Sequence, residues 1–229
     1  MNVDEFAKKL TPPALVTVDE FADGMHFAYR NAKQLVEDAR TLRSQSPARA
    51  MALAILAMEE IGKIFLLYEI VISNAGRPVA GTEVARSVRT HSKKQLAFAM
   101  YGSHIDPSQF GYETDVPQEF LNLLDRLKQL GFYVDLTRGG FAAPSHFGEA
   151  NEHLADWAID AAKERLESLE GLHSSPDSSR EFIQFGLRTL TTVVDAVVQS
   201  GGIYSPDAEA AVREALQRIM TECDTQERD

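Results

Sequence analysis

The sequence predicts an all-α protein, a helical bundle of about six to seven helices arranged around one central helix. Three observations predict it. Apolar residues recur at three- and four-residue spacing over most of the chain between Thr17 and Cys223, the helical period. Strand signals are scarce. The most apolar stretch, Met51 to Ile72, is interrupted by Glu59, Glu60 and Lys63, whose cost at a bilayer centre makes it a core helix and not a membrane span.

Taken in order, the first helix carries Phe21, Met25, Ala28, Ala32, Leu35, Ala39 and Leu42 on one stripe, with Arg30, Lys33, Glu37 and Arg40 off it, and runs to Arg43. Ser46-Pro47 places a capping hydroxyl before a proline at the first helical position and starts a second helix, which Asn74-Ala75-Gly76-Arg77-Pro78 stops. In its first half Ala50, Leu53, Ala54, Leu56, Ala57, Ile61, Ile64 and Leu67 leave almost no polar side, the mark of a helix buried all round. A third helix is expected from an N-cap at Thr82 to Tyr101, and residues 102–116 read as loop. A fourth opens at Pro117 and closes at Leu130-Gly131, and Phe132 to Leu136 is a short strand-like piece too isolated to found a sheet. Further helices are expected over Ser145–Leu172, Ser178–Gln199 and Pro206–Cys223, the last after a Ser205 cap. The serine-rich stretch Ser174–Ser179 separates a main helical domain, residues 1–173, from C-terminal helices, residues 174–229, that pack on it as an appendage.

Composition narrows function. Of 229 residues, 44% are hydrophobic and 25% charged, which excludes disorder as the main state. A net charge of −11 repels polyanions, so contact with nucleic acid must come from a local basic patch. The single cysteine, Cys223, forms no internal disulfide, and Met1 to Leu10 lack the apolar core of a signal peptide; both point to the cytoplasm with no membrane anchor.

Two constellations can carry chemistry. Glu59 and Glu60 lie among Ile55, Leu56, Ile61 and Ile64, so at least one carboxylate faces the interior and needs a cation or a proton there. Lys63 can pair with either along the helix, which is the structural reading; the functional one is that a carboxylate orients a histidine or arginine from another helix. Gly62 favours close approach of that helix, since it removes a side chain at about 1 kcal/mol of helix propensity.

The second constellation, Arg86 through Gln95, concentrates Arg86, Arg89, His91, Lys93 and Lys94 in an acidic protein and suits an anion site. Arginine holds phosphate through paired hydrogen bonds and histidine moves protons near neutral pH, so the set suits metal-independent RNA cleavage by attack of a 2′-hydroxyl. In a continuous helix Arg86 and His91 stand about 140° apart and share no face unless the helix starts or bends between them, or a partner subunit closes the site. His91, Lys94 and Gln95 do share one. A dimetal site lacks its Glu-x-x-His steps, because Glu149 and Glu152 precede His153 out of phase, and no metal or cofactor is expected. His26, His104, His146 and His173 read as packed or surface histidines, Trp157 as core, and Gly139-Gly140 lacks the setting of a phosphate loop.

The order Tyr29-Arg30-Asn31-Ala32, Ala57-Met58-Glu59-Glu60-Ile61-Gly62-Lys63, His91-Ser92-Lys93-Lys94 and Gly131-Phe132-Tyr133-Val134-Asp135, over roughly residues 20–140, resembles the AbiV family of abortive-infection proteins in the HEPN superfamily of helical domains. The resemblance implies an HEPN-like core and a bacterial antiphage protein that halts growth or translation, triggered by a phage product. It also implies a metal-independent endoribonuclease using an Arg-x4-6-His motif at a homodimer cleft. Arg86 to His91 matches that motif with Ser87 as the polar residue after the arginine, and Arg89 is the alternative arginine. On this reading Arg86, His91, Glu60 and Glu59 are catalytic, and Arg89, Lys93, Lys94 and Lys63 bind RNA phosphate. Some HEPN domains are non-catalytic, so the alternative is a helical adaptor that binds a phage or host protein.

Overall fold

The chain begins its first helix at a reciprocal cap. Thr17 accepts from the Glu20 amide, and the Glu20 carboxylate accepts from the Thr17 amide at 2.7 Å, which satisfies two of the orphan donors at the end of α1 (Val18–Leu42). The structure, a computed structural model, describes residues 11–101, 118–133, 135–137, 140–144 and 148–226. The loop expected over 102–116, with His104, and also His146 lie outside them.

Among the described residues eight helices follow one another: α1, α2 (Pro47–Ser73), α3 (Gly81–Arg89), α4 (His91–Tyr101), α5 (Gln118–Phe132), α6 (Gly148–His173), α7 (Pro176–Gln199) and α8 (Ala208–Gln226). One more helix than expected arises because the third is two. Thr90 adopts an extended conformation (φ −80, ψ 110) that ends α3, and α4 begins at the next residue.

Helix α2 is the axis of the bundle. Ala54, Ile55, Ala57, Met58 and Ile61 are completely buried, against Phe21 and Met25 of α1, Phe98 of α4, Phe120 and Leu124 of α5, and Ala158 and Ala162 of α6. Each large apolar side chain removed from water there stabilises by about 1.5–3 kcal/mol. The expected N-cap bond from Ser46 is not made, and the start rests on Pro47, whose fixed φ suits the first turn. At the other end the Asn74 side-chain Nδ2 donates to the carbonyl of Ile70 at 2.8 Å. The expected Thr82 cap is also absent, since α3 starts at Gly81.

Gly131 corrects a second expectation. It does not stop α5, which continues to Phe132; a side chain there would overlap the backbone of Ala48 and the side chain of Ala52, so the glycine lets α5 press against α2. Trp157 packs edge-on to Phe120 at the core margin, with centroids 6.5 Å apart.

Two small antiparallel pairs supplement the helices. Leu15–Val16 (β1) pairs with Val79–Ala80 (β2), which the sequence does not announce, and Asp135–Thr137 (β3) pairs with Gly140–Ala142 (β4); the piece expected over Phe132–Leu136 is strand at Asp135 and Leu136, whereas Phe132 ends α5. After α6, a Ser175–Ser178 capping box and Pro176 open α7. This helix lies on α1 and α2, with Ile183 in the common core and Phe182 stacked on Tyr68 at 4.6 Å, and α8 packs on α7.

Candidate active site

The middle of α2 turns one carboxylate inward and the next one sideways. Glu59 is 1% exposed, whereas Glu60 remains partly accessible and pairs with Lys63 one turn on, both of its oxygens 2.6 Å from the ammonium. Residues three apart on a helix are neighbours, so the Glu60–Lys63 pair is local, and Lys63 is spent there.

Four side chains from two other helices meet Glu59. Its Oε1 accepts from Lys128 Nζ at 2.7 Å and from Gln95 Nε2 at 3.1 Å; its Oε2 lies 2.6 Å from His91 Nδ1 and 3.1 Å from Lys94 Nζ. Helix α4 supplies three of these because His91, Lys94 and Gln95 share its inner face. It approaches this closely because residue 62 is glycine: a Cβ there would overlap the carbonyl oxygen of Lys94. Helix α5 supplies Lys128, which also holds Asp125 at 3.0 Å.

Electrostatics follow from this arrangement. Burial raises the Glu59 pKa, but the Lys128 and His91 hydrogen bonds and the Lys94 charge outweigh it, so the carboxyl stays below its usual range and ionised. Burial lowers the Lys128 pKa, and hydrogen bonds to Glu59 and Asp125 more than reverse this, which keeps the ammonium charged. A carboxylate only accepts, so the short contact requires the His91 proton on Nδ1 in the neutral ring. In that neutral form Nε2 carries the lone pair, on a side chain that is 56% exposed.

The remaining predicted residues fall into two groups. Arg86 and Arg89 on α3 and Lys93 on α4 are exposed, and Lys93 borders a groove lined by Leu66, Ile70, Ser87, Leu96 and Met100. Lys94, expected at the RNA surface, is instead buried against Glu59. The Thr90 break removes the fixed 140° relation between Arg86 and His91 that a continuous helix would impose, and puts His91 at the exposed N-terminus of α4. Lys128 was not anticipated. Its signal was available, since it occupies the same buried stripe of α5 as Phe120, Leu121, Leu124 and Gly131, where a lysine needs a counter-charge.

Among the described residues, no three His, Cys, Asp or Glu side chains converge to hold a metal, and no helix is long and apolar enough to cross a membrane. A family model described as AbiV, of HEPN type, matches residues 20–167. The chain belongs to the AbiV family. The match spans α1 to α5 and most of α6, and therefore includes every residue around Glu59 in this AbiV-family chain. No curated protein and no solved structure matches it.

Proposed function

We propose that this AbiV-family protein is a metal-independent endoribonuclease that arrests growth or translation during phage infection, with His91 as its proton-transfer group. The observation that carries this reading is the Glu59–His91 contact of 2.6 Å, which holds the imidazole in the tautomer whose Nε2 can accept a proton. In the proposed step Nε2 takes the proton of a ribose 2′-hydroxyl, the 2′-oxygen bonds to the adjacent phosphorus, and the bond from phosphorus to the 5′-oxygen breaks. The proton held on Nε2 passes to that leaving oxygen, which yields a 2′,3′-cyclic phosphate and a 5′-hydroxyl. Arg86 or Arg89, exposed just before the α4 N-terminus, neutralises the phosphate as charge builds on it, and Lys93 adds to the local positive field. A homodimer that brings two such patches together, and a phage-encoded trigger, belong to the same proposal.

The test is expression of wild type beside His91→Ala in bacteria, with sequencing of the RNA 5′ ends and the folded state of both proteins verified by circular dichroism. New 5′-hydroxyl ends and growth arrest with wild type, lost by about a hundred- to ten-thousand-fold with His91→Ala, are expected. Equal cleavage and arrest by a folded His91→Ala protein would overturn the assignment. Intact RNA together with wild-type growth arrest would favour the adaptor.

A further inference from the structure

The arrangement around Glu59 divides its four donors two to each oxygen. Oε1 is held by Lys128 and Gln95, and Oε2 by His91 and Lys94, so the carboxylate plane is pinned at both oxygens and only Oε2 is presented to the imidazole. Of the two lysines, Lys128 alone also reaches the histidine: its Nζ lies 3.3 Å from His91 Nδ1. That contact is not a hydrogen bond to the ring, because Nδ1 already carries the proton it gives to Glu59; the ammonium instead directs its hydrogens to Glu59 and to Asp125. Among the described residues Lys128 is therefore the one cation with a contact to both the carboxylate and the ring, and it is tethered by Asp125 one turn away on α5.

The geometry points to Lys128 as a positioning residue for His91: it locks the Glu59 carboxylate from α5, and through it fixes the orientation and tautomer of the ring. The inference rests on the reading of His91 as the proton-transfer group, although its first test does not. Lys94 stands as the internal comparison. It pairs with the same carboxylate and is as deeply buried, yet it comes from the helix that carries His91 and, among the described hydrogen bonds, makes none to the ring. A purely structural need to neutralise Glu59 would make the two lysines equivalent; a positioning role makes them different.

The experiment follows the His91 ring nitrogens and the Nδ1 proton by NMR in the full chain, for wild type, Lys128→Met, Lys128→Arg, Lys94→Met and Asp125→Asn. Wild type is expected to show the Nδ1–H tautomer with a slowly exchanging, downfield proton. Lys128→Met should mix the tautomers and speed exchange at least tenfold, Lys128→Arg should restore the wild-type signature, and Lys94→Met should retain it. Asp125→Asn changes a half-exposed end of the network, so it remains folded and decides the matter if Lys128→Met does not fold: faster exchange of the Nδ1 proton supports the tether, and wild-type exchange overturns it. A folded Lys128→Met protein with the wild-type signature, or Lys94→Met disturbing the ring as much as Lys128→Met, overturns the inference. On an RNA substrate Lys128→Met should lower kcat by about a hundredfold with KM little changed, as misplacement of a reacting group does. Should wild type cleave no RNA, the ribonuclease reading fails, and the NMR comparison still decides the role of Lys128.

Discussion

His91 Nδ1 and Glu59 Oε2 stand 2.6 Å apart, joining the first residue of α4 to the middle of the central helix across 32 positions of sequence. One partner is buried and the other half exposed, so the contact runs from the core to the surface of the bundle. Any device that fixes Glu59 in the core therefore fixes an exposed imidazole at the surface.

Glu59→Gln should be far more costly than Glu60→Gln. The first leaves Lys94 buried without a counter-charge and Lys128 with Asp125 alone, and should destabilise by about 3–5 kcal/mol. The second breaks one local pair at the margin of the core and should cost about 1 kcal/mol. Denaturant unfolding of the two variants side by side measures the difference, and equal losses would contradict the assignment of Glu59 as the interior charge.

Gly62→Ala sets two effects against each other. Alanine gains about 1 kcal/mol of helix propensity over glycine. Its methyl group, however, overlaps the Lys94 carbonyl, a backbone atom with no rotamer to move, and overpacking of this kind costs about 1–3 kcal/mol. The clash should win, with a lower Tm and α4 pushed off α2; a raised Tm would show that the two helices separate readily.

Arg86→Ala and Arg89→Ala should separate the two candidate arginines. Both side chains are exposed, so neither change should alter stability beyond about 0.5 kcal/mol. An arginine that contacts phosphate should lower RNA affinity and reduce the slope of log K against log salt by about 1 when removed. The variant that also lowers kcat marks the arginine at the scissile phosphate.

Stability should fall with acid in two stages. Burial, with the neighbouring His26, lowers the His173 pKa from 6.5 to about 4; the ring is completely buried and its Nδ1 lies 3.0 Å from Ser179 Oγ. The unfolded chain takes up this proton first, so stability declines as pH drops from 6.5 to about 4 and levels off below, a loss of about 3 kcal/mol from this group. Glu59 acts later: its carboxyl is held below its ordinary value of 4.5, so its contribution is present above that pH and is lost as pH falls toward the lower folded-state value. His173→Gln should flatten the first stage and leave the second, as read from urea midpoints between pH 7 and 3.

The sequence by itself determined the all-α class, the central place of the helix through Met51–Asn74, the glycine at which another helix approaches, and the face shared by His91, Lys94 and Gln95. These are matters of period and local composition, carried by residues three or four apart. It also exposed the conflict of a Glu-Glu step inside an apolar helix, without saying which carboxylate turns inward. Tertiary structure decided that, and it decided for Glu59 because α4 and α5 deliver their donors to that side of α2. The break at Thr90 was equally hidden, since nothing in Arg86–His91 forbids a continuous helix; α4 is released from α3 to lie against Gly62. Lys128 lies 69 positions from Glu59, and no local pattern links them. A buried charge states only that it needs a partner, and the packing of distant helices chooses which one it receives.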